Sequence, residues 1–230
     1  FEVISETFKA IDESRPTQAY KDFPGRPERV LEGEIWRPAS PQQPGPLLVY
    51  SHGFLSFHEE GLYLVRFLAS HGYIVLAVDY PLTGFHAPDG PLMRDIVNQP
   101  GDVSFLIDTM LKRNADPVDV LFATIDPKKI AVAGTSLGGL TSILATFHRQ
   151  MRDPRIAASI SIAGPTSMFT ADLFSGSDVP FLIAGGTDDV LVNTPIAVIL
   201  GEGEKAGDIA AAPAKAPAPT QPAAGAALAA

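Results

Sequence analysis

The chain has 230 residues, 46% of them hydrophobic, which is ample for the core of one α/β domain. A formal net charge of −9 with no basic stripe argues against a nucleic-acid partner. The absence of cysteine excludes disulfides and thiolate metal sites, and the five histidines show no metal-ligand spacing, so neither metal nor cofactor is implied.

No apolar run reaches the roughly 18 to 20 residues of a membrane span, and the first residues lack the basic-then-apolar layout of a signal peptide. No stable membrane insertion is expected. The chain reads as soluble, cytoplasmic or exported, and its oligomeric state is not legible.

In chain order, "FEVISETFKAIDESRPT" and "RVLEGEIWRP" alternate in a β-compatible way around the Pro- and Gly-containing "KDFPGRPE", which predicts two edge-like strands. From Pro46 the rhythm changes to short apolar runs that stop at small or polar residues: "PLLVYSHG", "YIVLAVDY", "KKIAVAGTS", "RIAASISIAG" and "VPFLIAGGTDD". Such runs predict buried parallel strands. Between them lie segments with helical spacing, such as Val103, Leu106, Ile107, Met110 and Leu111 in "GDVSFLIDTMLKR", opened by Pro100 and Asp102 where helix starts favour them. Alternating strand and helix predicts a doubly wound sheet whose ligands gather at the carboxyl ends of the strands. Residues 211–230 hold eleven Ala and four Pro with Leu228 as the one large apolar side chain. They cannot bury enough surface to offset the entropy of ordering. The expected division is an α/β domain over residues 1–203 and a low-complexity linker or tail over 204–230.

Gly134, Ser136 and Gly138 spell GxSxG at the junction of the predicted strand "KKIAVAG" and the predicted helix "LGGLTSILATFHRQ". By composition alone the pattern would arise by chance in about one chain of this length in ten, so the placement carries the argument. A strand that turns at once into a helix strains its apex and crowds residues two positions away, where only glycine fits. The turn would lift the Ser136 hydroxyl out of the sheet and aim the Leu137 N–H at whatever the serine attacks. The plainer alternative is a serine that caps a helix. A second oxyanion donor is expected from an earlier strand's loop, and "LLVYSHGFLSF" offers the Phe54 N–H, with Gly53 allowing close approach and His52 shaping the turn. Downstream, Asp188 and Asp189 follow the run "VPFLIAGG", where an acid that steadies a catalytic imidazole belongs.

With these pieces in order the chain resembles the α/β-hydrolase family, in particular its dienelactone-hydrolase-like or platelet-activating-factor-acetylhydrolase-like bacterial branch. The resemblance covers about residues 5 to 200 and includes "DESRPT", "RVLEGEIWRP", "LLVYSHGF", "DYPLTG" and "NQPGDVSFLID". It implies an α/β-hydrolase fold, mostly parallel, with antiparallel N-terminal strands, and here short of its C-terminal strand and helix. It also implies cleavage of carboxylic esters, lactones or acylated lipids through an acyl-serine, without a cofactor. In the family the acid is followed by a short apolar run and a proline, so "DVLVNTP" favours Asp189 over Asp188.

One piece is missing. The family's order is serine, acid, histidine, yet His52, His58, His71, His86 and His148 all precede Asp189. Three explanations compete: an excerpt whose histidine lies further on, a substitute base for which His86 in "PLTGFHAPDG" is the best candidate, or a hydrolase-fold protein that binds ester or acyl ligands without cleaving them. His58, His71 and His148 read as surface or capping residues.

Overall fold

The computed structural model describes residues 1–185. Seven strands form one open mixed sheet: β1 (Val3–Asp12), β2 (Arg29–Pro38), β3 (Gly45–Ser51), β4 (Ile74–Asp79), β5 (Ile125–Thr135), β6 (Ile156–Ile162) and β7 (Phe181–Ala184). Their spatial order is β1-β2-β4-β3-β5-β6-β7. The pairs β1/β2 and β2/β4 are antiparallel, and every pair from β4 to β7 is parallel. This is the α/β-hydrolase architecture. Of the two strands expected at an edge, only β1 lies there; β2 is paired on both sides.

Among the described residues three α-helices cover the sheet: α1 (Leu62–Ser70), α2 (Gln99–Ala115) and α3 (Leu137–Phe147). Side chains alternate across each parallel strand, and the alternation divides the core. Leu47 and Val49, Ile74, Leu76 and Val78, and Ile130 and Val132 face α2 with its Val103, Leu106, Ile107 and Met110. Leu48 and Tyr50, Val75 and Ala77, and Ala133 face α1 through Val65 and Ala69. A doubly wound sheet results because β3, β4 and β5 are apolar on both faces. The expectation of a buried strand at "VPFLIAGG" needs correction: β7 has only four residues, and Ile183 is exposed. It is the outermost strand among the described residues, so burial by a neighbour on its far side is not seen there.

Asp102 does more than favour a helix start. It is fully buried and takes both Arg29 Nε and Nη2 at 2.7 Å, while Asp95 accepts Nη2 of the same guanidinium at 3.0 Å. Arg15 adds a third bond at 2.8 Å to Asp102. Burial alone would lower the Arg29 pKa, and the hydrogen bonds and charges of the two carboxylates outweigh it and raise it.

Candidate functional site

Parallel pairing brings the site together. Ser51 at the end of β3 stands opposite Gly134 at the end of β5, so the loop leaving β3 and the turn leaving β5 emerge side by side. In that turn Ser136 has φ 52° and ψ −113°, a left-handed backbone that a side chain adopts only when its surroundings impose it. They do so here through the Ser136 N–H, which donates to Ile162 O at 2.8 Å, and through the packing of its neighbours. A Cβ on Gly134 would stand 2.6 Å from Ser51 O, and one on Gly138 would overlap that same carbonyl. Ser136 itself is exposed, and α3 begins at the next residue. The Leu137 N–H therefore belongs to the first helical turn, which has no acceptor inside the helix.

The loop after β3 is held by several anchors. Of the N–H groups of residues 53–56, Gly53 donates to Glu60 Oε2 at 2.8 Å, Leu55 to Thr83 O at 3.0 Å and Ser56 to Gly53 O at 3.2 Å. Among the described residues the Phe54 N–H has no acceptor. Leu55 carries φ 64°, which marks the bend that turns the loop. A methyl group on Gly53 would lie 3.5 Å from Ser136 Cβ and 3.0 Å from Glu60 Oε1. Gly53 is thus an immediate neighbour of both Ser136 and Glu60. The role of Glu60 was not legible, because its contact crosses a loop and follows no periodicity.

His52 is buried, not a surface side chain. Its Nε2 accepts the Tyr80 N–H at 3.0 Å, so the proton sits on Nδ1, which donates to Gly53 O at 2.7 Å. Burial holds its pKa below the ordinary histidine value. With both nitrogens committed to backbone it is a brace for the loop. His58 Nδ1 lies 2.9 Å from Asp79 Oδ1, His71 Nδ1 bonds Phe67 O at 2.8 Å, and His148 follows the last residue of α3. His86 is exposed and packs edge-on against Phe85. It lines a cavity of about 400 Å³ with Arg26, Glu32, Asp79 and Tyr80, whose walls do not include Ser136. None of the five histidines is hydrogen-bonded to Ser136 among the described residues. Asp188 and Asp189 lie outside those residues, as does the boundary expected at residue 203.

For metal ligation, Glu34, His58 and Glu59 bring one ligand atom each within 4.8 Å of one another. They meet on the β2 side of the sheet, and β4 and β3 lie between β2 and the serine's strand β5. Spacing in the sequence gave no sign of this group because Glu34 arrives from a different strand. Among the described residues no helix is long and apolar enough to cross a membrane.

No family model matches the chain, and no curated protein does. Solved structures match in number, as expected of a fold that hosts many functions. One is a ferulic acid esterase from Streptomyces cinnamoneus, 22% identical, with a TM-score of 0.61 over 79% of this chain. The aligned part is 64% of that esterase chain, so the match spans less than two thirds of its length. At this identity the likeness is one of fold alone, and it agrees with the α/β-hydrolase architecture described above.

Proposed function

We propose that the protein is a serine hydrolase that cleaves carboxylic esters, with Ser136 as nucleophile, the N–H groups of Phe54 and Leu137 as oxyanion donors, and Asp189 as the acid. Gly134 and Gly138 serve by occupying positions where no side chain fits, and Gly53 by letting the loop pass close to Ser136. The observation that carries the proposal is the exposed Ser136 on a left-handed backbone at the strand-to-helix corner, next to a loop whose free N–H is that of Phe54. In this mechanism Ser136 Oγ attacks the ester carbonyl carbon and its proton passes to a base. The carbonyl oxygen gains the negative charge and is held by the two N–H groups. Collapse breaks the bond to the alcohol, which leaves with the proton, and water then releases the acid from the acyl-serine.

The substrate class proposed is a small-molecule or lipid ester. The exposed Leu55, Phe57 and Phe85 around the loops after β3 and β4 give the mouth an apolar character. The general base is not assigned, since none of the five histidines of this sequence is hydrogen-bonded to Ser136 among the described residues; His86 remains the candidate substitute.

A second proposal is favoured by that observation: a protein of the same fold that binds ester or acyl ligands without turnover. A fluorophosphonate probe separates the two. Labelling at Ser136 that Ser136→Ala abolishes, with ester turnover lowered by about 10⁴-fold or more, supports the hydrolase. No labelling together with measurable binding of a non-hydrolysable ester analogue supports the binding protein, and labelling retained in Ser136→Ala rejects the assignment of the nucleophile.

A further inference from the structure

We infer that Gln99 is a positioning residue that sets the spacing between the two oxyanion donors, an inference that rests on the hydrolase proposal for its catalytic consequence. Gln99 is the first residue of α2 and is fully buried. Its Nε2 donates to Thr83 Oγ1 at 2.7 Å, and its Oε1 accepts from Thr141 Oγ1. Each partner leads to one half of the site. Thr83 O accepts the Leu55 N–H, which pins the residue after Phe54. Thr141 lies one helical turn beyond Leu137, and its Oγ1 is 3.1 Å from Leu137 O, so its one hydrogen is shared between Gln99 Oε1 and the carbonyl of the residue that carries the other donor. Thr83 and Thr141 are as buried as Gln99.

The result is a strut from the loop after β3, across the start of α2, to the first turn of α3. It is independent of the sheet pairing that also joins these elements. The chemistry selects the residue type. An amide bonds both threonine hydroxyls, donating to one and accepting from the other, without the buried charge that an ionised carboxylate would bring. Asn has the same groups on a side chain one methylene shorter. Three buried polar side chains bonded to one another form a network that is stiff while complete and costly when broken. An oxyanion is held only by donors within about 2.7–3.1 Å, and a misplacement of 1 Å costs on the order of 100-fold in rate.

Gln99→Met, which keeps the volume and removes both bonds, tests the strut beside Thr83→Val and Thr141→Val, which each remove one arm. Two quantities are measured on the full chain: hydrogen exchange in peptides covering residues 52–57 and 137–142, and kcat and KM for p-nitrophenyl acetate. Thr83→Val is expected to speed exchange in the first segment alone and Thr141→Val in the second alone. Gln99→Met should speed both by about tenfold and leave β6 unaffected. The kcat of Gln99→Met should fall on the order of 10- to 100-fold with KM within about twofold, and Thr83→Val/Thr141→Val should match it and not the product of the single effects.

Exchange unchanged in either segment of Gln99→Met, or raised uniformly across the protein, overturns the strut. Loosened segments with unchanged kcat overturn its catalytic consequence. A wild-type protein that neither labels nor turns over refutes the hydrolase proposal, and the exchange data still decide whether Gln99 holds the two segments together.

Discussion

His52 shows what a single ring can fix. With the Tyr80 N–H on Nε2 and Gly53 O on Nδ1, it is neutral in the folded state, and burial holds its pKa below the ordinary histidine value. An unfolded chain takes up a proton there first as the pH falls. Its contribution is therefore complete above about pH 6.5 and declines below that until the folded-state pKa is reached, with a slope of at most about 1.4 kcal/mol per pH unit. Urea denaturation between about pH 7 and pH 5 should show this decline, and His52→Gln should flatten it.

At Gly138 the constraint is steric. Ala there would push a methyl group into Ser51 O, so Gly138→Ala should lower stability by about 1–3 kcal/mol, measured by the shift in urea midpoint at constant m. The glycine pattern was legible because a tight corner forbids side chains whatever surrounds it. His52 was legible as a turn-shaping residue from its place beside Gly53, but its burial depends on Tyr80 and the loop after β4, which no local pattern announces.

Among the elements, α2 combines the readable and the unreadable. Its spacing identified the apolar face, and Val103, Leu106, Ile107 and Met110 are indeed buried. The same helix buries Gln99 and Asp102, and their partners come from β2, α3 and the loop after β4. Polar residues on a core-facing surface break the periodicity that a sequence reader follows, so the Arg29, Asp95 and Asp102 group was invisible except as a helix-start aspartate.

Breaking that group should be costly. Arg29→Met leaves two carboxylates without their shared cation, and the expected loss is about 3–5 kcal/mol by urea denaturation. Replacing Asp95 and Asp102 by Asn in the same variant should recover part of it. The short β7 was overread for the opposite reason: an apolar run predicts a strand, and its burial depends on neighbours that the run itself does not encode.

For the whole molecule, the alternation of strand and helix was legible and the order of the strands was not. Pairing β3 between β4 and β5 is what places Gly53 beside Ser136, and such a non-local choice leaves no mark in a linear pattern. Electrostatics at this scale makes a further prediction. Burial alone would raise the pKa values of Asp12 and Asp153; hydrogen bonds from Ser14 and Arg15 to the first, and from Arg155 and Ser104 to the second, outweigh it and leave both below the ordinary aspartate value. Depressed carboxylate values stabilise the fold above that pH, and the contribution disappears as the pH drops through the folded-state values. Acid titration followed by circular dichroism should show unfolding that steepens below about pH 4, and Asp153→Asn should make that limb shallower while lowering stability at neutral pH.

The strand order also separates two kinds of change. Because the corner is clamped from beneath by Ser51 and Gly134, and the loop after β3 by Tyr80, Thr83 and Phe85, only the outer parts of the crossings, residues 86–91 and 165–178, are expected to tolerate lengthening, trimming or a change of polarity without moving it. In the hydrolase proposed above, preference for one acyl group or another would then be free to drift on residues that the bond-breaking step does not touch. Grafting foreign versions of those crossings is a route to new selectivity on an unaltered anvil.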